Sequence, residues 1–122
     1  FLKEDTYLPM MYMPDAIRAT IELMEADADK ISIRTSYNIA GMSFSPKEIA
    51  EEIKKHRPEF TITYEPDYRM QIAESWPQSI DDSVANKDWG WRPKYDLSAM
   101  TEDMLTNLNL KINVKSADIH LK

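Results

Sequence analysis

Arg69 and Trp76 are the residues whose types and spacing are best suited to binding a ligand. They lie seven positions apart in the connection over residues 65–80. A guanidinium near an aromatic ring can hold a carboxylate through two parallel hydrogen bonds, and an indole can line a cavity. The structural alternatives are a surface salt bridge for Arg69 and a packing role for Trp76. Met11, in a methionine-rich run, is a third candidate, either as a ligand wall or as a core residue.

Few other side chains have the spacing that chemistry requires. His56 lies between two basic residues at a predicted helix end, where a solvated cationic cap is expected. His120 lies in the last few residues, and adjacent Asp81 and Asp82 are better explained as helix starters than as a paired acid and base. The sequence has no cysteine for a thiolate metal site and only two glycines, too few for a glycine-rich phosphate loop. We therefore predict no catalytic, cofactor-binding or metal-binding residue in this chain.

Length, charge and hydropathy argue against several classes of protein. The 122 residues suffice for one domain, and 43% hydrophobic with 30% charged residues indicate a globular chain. A net charge of −6 without any basic run argues against binding to nucleic acid. No apolar run approaches the ~20 residues that span a bilayer, so no membrane partner is expected. The lack of cysteine is compatible with a cytoplasmic location.

The stretch Ser75–Trp91 is predicted to be the centre around which the other elements pack, because it contains all three tryptophans. We expect an ordered loop up to Ile80. A short helix follows, capped by Asp81 or Asp82 and ended by Gly90 in a left-handed conformation. Each indole can bury roughly 200 Å², so the tryptophans on either side of that glycine would fix the helix end to a core.

A helix is predicted over residues 14–25, after an extended apolar segment over residues 6–13. Pro14 fits the first helical position, whereas Pro9 argues against a central strand in the extended segment. The apolar side chains of the helix recur at helical spacing on one face: Ile17, Ile21 and Met24.

Two more helices are predicted from their caps. Ser45 and Glu48, with a proline between them, form a capping box for a helix that Pro58 stops. Asp96 caps a final helix, which carries apolar side chains at spacings of three and four up to Leu108.

Strands are predicted in the second half of residues 31–39 and over residues 60–64, where apolar and polar side chains alternate. Gly41 would permit a sharp bend after the first of them. The residues from Asn109 onward are interpreted either as a weak strand or hairpin or as a frayed terminus. Strands separated by helices indicate an α/β fold with few parallel strands and covering helices.

Three segments resemble one enzyme family. They are TYLPMMYMPDAIRATIELM (residues 6–24), SYNIAGMSFSPKEIAEEI (residues 36–53) and SWPQSIDDSVANKDWGW (residues 75–91). Together with the helix that opens at Asp96, they are similar to the carboxyl-terminal lobe of NAD-dependent L-threonine 3-dehydrogenases. These enzymes are of the short-chain, epimerase-like type, within the extended NAD-dependent epimerase/dehydratase group. The resemblance covers residues 1–108, which we take as a substrate-binding lobe, and leaves residues 109–122 as an uncertain tail.

The resemblance implies a C-terminal, substrate-side fragment of an extended Rossmann-type fold. The whole enzyme would oxidise the 3-hydroxyl of L-threonine with NAD to 2-amino-3-oxobutanoate. Its glycine-rich NAD turn and its Tyr-x-x-x-Lys pair are expected in a missing N-terminal nucleotide-binding half, because no tyrosine here has a lysine four residues later. The chain also opens on Phe1 rather than methionine. We expect it to close over a small amino-acid substrate, to bind no NAD alone and to be inactive alone.

Two alternatives remain open. The chain could be the equivalent lobe of a nucleotide-sugar epimerase or dehydratase, but such enzymes need polar and basic groups for a diphosphate, and Arg69 followed by Trp76 favours a small substrate. It could also be a non-enzymatic interaction module, since an exposed sheet edge and an apolar face would make it adhesive.

Overall fold

A computed structural model describes the backbone of residues 1–119 and the side chains of residues 1–110. The described residues form five helices and a two-stranded sheet, which confirms the α/β class. The elements in chain order are β1 (Leu8–Met10), α1 (Met13–Glu25), β2 (Met42–Phe44), α2 (Pro46–His56), α3 (Arg69–Glu74), α4 (Ser83–Trp89) and α5 (Leu97–Ile119). No helix within the described backbone combines the length and apolar character needed to cross a bilayer.

The predicted helix caps are confirmed. The Ser45 hydroxyl accepts a hydrogen bond from the Glu48 backbone N–H at 3.3 Å, and the Glu48 carboxylate accepts one from the Ser45 N–H at 2.9 Å. Gly90 ends α4 with φ of 79°, and the Asp96 carboxylate accepts the Ala99 N–H at 2.8 Å at the start of α5. The Asp82 side chain makes no capping bond to α4; Asp81 instead accepts the Ser83 N–H at 2.9 Å.

The last helix is longer than predicted. α5 continues to Ile119, so the interpretation of the residues after Asn109 as a strand or hairpin is wrong. No glycine or proline interrupts the sequence between Leu97 and Ile119, and an established helix propagates through such a stretch at little cost. His120 lies outside the described residues.

The strands pair differently from the prediction. β1 and β2 are antiparallel, with Leu8 opposite Phe44 and Met10 opposite Met42, so parallel pairing is wrong. After α1 the chain passes through residues 26–41, which form no helix or strand, and this long connection returns it to the sheet in the opposite direction. No strand forms over residues 31–39 or 60–64, because neither stretch has a pairing neighbour within the described residues.

The core explains which tryptophans are anchors. Trp91 is 1% exposed and forms a cluster with Ala19 of α1 and Ala85 of α4, against which Met11, Tyr37, Ile39 and Trp89 pack. Its indole N–H donates to the Ala40 carbonyl at 3.0 Å. The predicted attachment of the α4 end to a core is confirmed. The face of α1 that meets this core carries Asp15 and Ala19, whereas its isoleucine face is exposed.

Gly41 is required for close approach rather than for a bend. Within residues 1–119, positive φ occurs at Gly90 and not at Gly41, and the chain runs from Gly41 into β2 without a bend, so the predicted sharp bend is wrong. A Cβ at this position would lie 2.6 Å from the Met10 carbonyl oxygen and 3.0 Å from the Met11 Cα. The two chain segments can therefore meet here only without a side chain.

We expect Gly41→Ala to lower the free energy of unfolding by about 1–3 kcal/mol, the usual cost of overpacking a fixed backbone contact. Urea denaturation of the 122-residue chain measures it. Gly90→Asn is the matched control: a Cβ there meets nothing within 4 Å, and asparagine tolerates the left-handed conformation. An unchanged midpoint for Gly41→Ala would show that the β1 and β2 backbones can separate freely.

Candidate functional site

Arg69 and Trp76 lie at opposite ends of α3, in a region predicted as an irregular connection. That part of the prediction is wrong, since residues 69–74 are helical. Trp76 lies two residues beyond the helix, where its backbone N–H donates to the Ala73 carbonyl at 3.2 Å. Both predicted side chains line one apolar cavity of about 260 Å³. The other residues that line this cavity are Phe1, Leu2, Leu8, Ile72 and Ala73.

The Arg69 guanidinium is already engaged by a carboxylate of this chain. Its Nε and Nη2 donate to the Asp67 carboxylate, at 3.0 and 2.7 Å to Oδ2, and its Cζ lies 4.0 Å from the centre of the Phe1 ring. The hydrogen bond to Asp67 raises the pKa of Arg69 and lowers that of Asp67. Both side chains are partly exposed, so another carboxylate could replace Asp67. Binding of a ligand carboxylate by Arg69 remains a prediction and requires that exchange.

Trp76 borders a second cavity of different character. Its side chain is 58% exposed and also lines a polar cavity of about 240 Å³ with Lys3, Thr6, Tyr7, Glu74 and Gln78 among its walls. Lys3 Nζ donates to Glu74 at 2.6 Å, so this cavity carries an ammonium and a carboxylate. An indole between an apolar and a polar cavity can cover a small ligand on one side and exclude water on the other.

Met11 lies in a separate cavity of about 240 Å³ between the β1 and β2 segments. Ser79 and Ile80 also line this cavity, and the Ser43 hydroxyl donates to the Gln78 carbonyl. The loop that follows Trp76 therefore borders the polar cavity through Gln78 and the Met11 cavity through Ser79 and Ile80. The structure brings Arg69 and Trp76 together but places Met11 in the neighbouring cavity.

Sequence reasoning missed the polar residues of the site. Lys3, Tyr7, Glu74 and Gln78 come from segments far apart in the chain, and no spacing pattern links them. The Tyr7 hydroxyl donates to Glu48 Oε1 at 2.8 Å, so it is held by the carboxylate that also caps α2. The capping box was readable from the sequence, but its second role in positioning a tyrosine was not.

Asp88 fixes the segment before Gly41 onto α4. Its Oδ2 accepts the Ser32 N–H at 3.0 Å, the Ser32 hydroxyl at 2.6 Å and the Tyr37 hydroxyl at 2.5 Å. These bonds, led by the Ser32 hydroxyl and then by Tyr37, lower the pKa of the Asp88 carboxyl. The Tyr37 ring also meets Trp89 edge to face at 4.6 Å. Residues 32–37 are thus held in one position although they belong to no strand.

The residues of this chain do not fit the diphosphate of a dinucleotide. That group needs a glycine-rich turn between a strand and a helix start, whereas Gly41 precedes β2 and Gly90 ends α4. Within the described residues, no group of three or more histidine, aspartate or glutamate side chains is arranged to hold a metal ion. We assign no step of a reaction to a cofactor bound by these residues.

Comparison with known proteins gives a consistent set of relatives, although no protein-family profile matches the chain. An uncharacterised epimerase/dehydratase of Staphylococcus haemolyticus is 53% identical over 112 residues, which are 91% of this chain and 35% of that protein. The mitochondrial L-threonine 3-dehydrogenase of Bos taurus is 54% identical over 105 residues, which are 85% of this chain and 28% of that protein.

Solved structures agree. A GalE-like L-threonine dehydrogenase from Cupriavidus necator in its apo form is 68% identical with a TM-score of 0.85, over 88% of this chain and 39% of that one. The L-threonine dehydrogenase of Phytophthora infestans is 53% identical with a TM-score of 0.87, over 91% of this chain and 36% of that one.

The chain belongs to the epimerase/dehydratase family, and it spans about a third of the length of the relatives it matches. Within that family, it matches a segment of L-threonine 3-dehydrogenases. The resemblance predicted from residues 6–24, 36–53 and 75–91 is confirmed.

Proposed function

We propose that this chain is the substrate-side part of an NAD-dependent L-threonine 3-dehydrogenase. The whole enzyme oxidises the 3-hydroxyl of L-threonine, passes the hydride to NAD and forms 2-amino-3-oxobutanoate. The observation that carries the proposal is the 68% identity to the C. necator L-threonine dehydrogenase across 88% of this chain.

The size of the cavities supports a small substrate. The two cavities that Trp76 borders have volumes of about 240 and 260 Å³. Sites for larger ligands usually measure about 300–1,000 Å³. The polar cavity carries Lys3 and Glu74, and an amino acid presents a carboxylate and an ammonium of matching charge. In this proposal Trp76 closes over the substrate and excludes water, and Met11 supports the loop that carries Trp76.

The proton-abstracting residues and the NAD-binding turn belong to the other part of the polypeptide. The proton-abstracting pair expected in this family is a tyrosine with a lysine four positions later, and the six tyrosines here are all without it. The glycine turn for NAD is lacking as well. The partner of this chain is therefore the nucleotide-binding part of the same protein, and this chain alone binds no NAD and transfers no hydride.

One relative favours a second candidate function, that of a nucleotide-sugar epimerase or dehydratase. The S. haemolyticus protein, 53% identical, is named only as an epimerase/dehydratase. The chain would then be the corresponding lobe of an enzyme acting on a nucleotide sugar. The small cavities disfavour a nucleotide-sugar substrate, and the two basic side chains beside Trp76, Lys3 and Arg69, are each already paired with a carboxylate of this chain. The third possibility, an interaction module without activity, is separated from both by a turnover assay.

A chimera tests the proposal. Residues 1–108 of this chain replace the matching segment of the C. necator dehydrogenase. NADH formation is followed with L-threonine, and conversion of a nucleotide sugar, which leaves no net NADH, is followed by chromatography of the products. We expect kcat/KM for L-threonine within about tenfold of the C. necator enzyme, which corresponds to less than about 1.4 kcal/mol of transition-state stabilisation.

A second chimera, carrying the matching segment of the P. infestans enzyme, controls for the graft itself. If that control is active while the first chimera melts cooperatively and oxidises no threonine, the proposed substrate is wrong. Turnover of a nucleotide sugar by the first chimera would favour the alternative.

A further inference from the structure

The loop over residues 77–80, which follows Trp76, has few contacts that hold it in place. All four of its residues are exposed. Within residues 1–110, one hydrogen bond joins this loop to the rest of the chain, and it runs from the Ser43 hydroxyl to the Gln78 carbonyl. A surface loop held by a single hydrogen bond opens at a low free-energy cost. Ser43 is therefore the side chain that decides how often the loop lies in the observed position.

The Ser43 hydroxyl has two acceptors within reach. Ser43 is the middle residue of β2, and its exposed side chain lines the Met11 cavity together with residues 79–80. The Leu8 carbonyl of β1 lies 3.5 Å from its oxygen, and the Gln78 carbonyl is the nearer partner. A serine hydroxyl has one hydrogen to donate. When the loop moves away, the hydroxyl keeps Leu8 as an acceptor, so opening leaves no donor unpaired.

The position of Gln78 restricts that of Trp76. The two residues are separated by Pro77, whose ring fixes its own φ and limits the backbone conformations of the residue before it. Both Trp76 and Gln78 line the polar cavity. Holding the Gln78 carbonyl therefore orders the exposed indole before a ligand arrives, which lowers the entropy that binding must otherwise remove.

We infer that Ser43 is a positioning residue for the reaction, because its hydroxyl holds the loop over residues 77–80 where Trp76 covers the substrate. The inference rests on the proposed function, which assigns the indole to a bound substrate. Ser43 lines neither of the two cavities beside Trp76, so it acts through the loop and not by touching the substrate. Without the hydroxyl, a smaller fraction of molecules has the loop in place, and the apparent affinity falls with that fraction.

A pair of substitutions in the chimera with the C. necator enzyme tests the inference. Valine and threonine are both branched at Cβ and suit an exposed strand position, but threonine alone keeps the hydroxyl. We expect Ser43→Val to raise KM for L-threonine about 3–10-fold, the shift that losing one net hydrogen bond produces, and to leave kcat within about twofold. Once bound, threonine itself holds the indole, so kcat is spared. Ser43→Thr should keep the KM of the parent chimera.

Two outcomes of the kinetics would overturn the inference. Equal KM values for Ser43→Val and Ser43→Thr would mean that the hydroxyl does not matter. A lower kcat or melting temperature for Ser43→Val at unchanged KM would mean that the side chain supports the strand and not the loop.

Time-resolved fluorescence anisotropy of the 122-residue chain tests the loop without turnover. Trp91 is buried and Trp89 packs against the core cluster, so fast local rotation comes from the exposed Trp76. We expect Ser43→Val to increase the amplitude of this rotation and Ser43→Thr to leave it unchanged. Adding Trp76→Phe to either variant should abolish the difference, which identifies its source.

An unchanged amplitude in Ser43→Val would overturn the inference, because the loop would then be held by something other than the hydroxyl. The two proposals can fail separately. A folded chimera that oxidises no threonine, together with hydroxyl-dependent rotation of Trp76, refutes the proposed function and leaves the role of Ser43 in holding the loop.

Discussion

Replacing Asp15 with alanine is expected to lower the free energy of unfolding of this chain by about 3 kcal/mol, because one partner of a buried ion pair is removed. Asp15 is 1% exposed. Its Oδ1 accepts from the Arg18 guanidinium at 2.9 Å, and its Oδ2 accepts the N–H groups of Lys94 and Tyr95 at 2.9 and 3.0 Å. The substitution therefore leaves two backbone donors without their acceptor and removes one of the two carboxylates bonded to the partly buried Arg18, at the point where α1 meets the segment before α5.

The matched control is Glu22→Ala. Glu22 is the other carboxylate bonded to Arg18, at 2.6 Å, but it is 37% exposed. Exposed pairs of this kind contribute at most about 1 kcal/mol. Urea denaturation of both variants distinguishes the two carboxylates. Equal losses would mean that Asp15 does not connect α1 to the segment before α5.

The pKa of the Asp15 carboxyl predicts how the free energy of unfolding depends on pH. Burial raises the pKa of Asp15, but the hydrogen bonds from the Tyr95 amide, Arg18 and the Lys94 amide together outweigh burial and hold that pKa below its ordinary value. The carboxylate therefore stabilises the fold fully above the unfolded-state pKa of about 3.9, and this contribution is lost as pH falls through the lower folded-state pKa. The Asp15→Ala variant should lack this part of the acid-induced loss of stability.

The largest effect on activity is expected from Trp76. In the chimera with the C. necator enzyme, Trp76→Ala should lower kcat/KM for L-threonine by about 10–100-fold, the loss expected when a substrate is no longer positioned and shielded from water. The melting temperature should change little, because the indole is 58% exposed in this chain. Steady-state kinetics and thermal melting of the same preparations measure the two quantities.

Two variants make this result specific. Tyr68→Ala removes a neighbouring aromatic ring that is 73% exposed and lines neither of the two cavities beside Trp76, so it should keep its activity. Trp76→Phe keeps an apolar ring and should recover most of the lost rate. If Trp76→Ala instead melts the chimera without changing kcat/KM, then Trp76 is a packing residue in the assembled enzyme.

Features set by a few neighbouring residues could be predicted from the sequence. The capping box at Ser45, the left-handed Gly90 and the cap at Asp96 each depend on contacts within four residues, and the structure contains all three. The segment over residues 36–40 shows the opposite case. Its alternation is that of a strand, but a strand forms only beside another chain segment, which is lacking within the described residues.

The buried side of α1 could not be predicted for a related reason. Periodicity places Ile17, Ile21 and Met24 on one side, but it cannot say that the core lies on the other side. The buried side is chosen by Asp15 and Ala19, whose partners are some 65 to 80 positions further along the chain. Gly41 is also fixed by a distant neighbour, the Met10 carbonyl, which no local pattern reveals.

The candidate site was predictable only in its two prominent side chains. Arg69 and Trp76 stood out by type, and the structure places both in one cavity. The surface salt bridge given as the alternative role of Arg69 is present, with Asp67 two residues earlier as its partner. Lys3 and Gln78 enter the site through tertiary packing, so composition and spacing carried no signal for them.

The most direct measurement is the initial rate of NADH formation by the chimera that joins residues 1–108 of this chain to the remainder of the C. necator dehydrogenase. We expect a rate that saturates with L-threonine and a 122-residue chain that forms no NADH under the same conditions. A folded chimera without any threonine-dependent rate, or NADH formation by the 122-residue chain alone, would contradict the division of substrate and cofactor binding between the two parts.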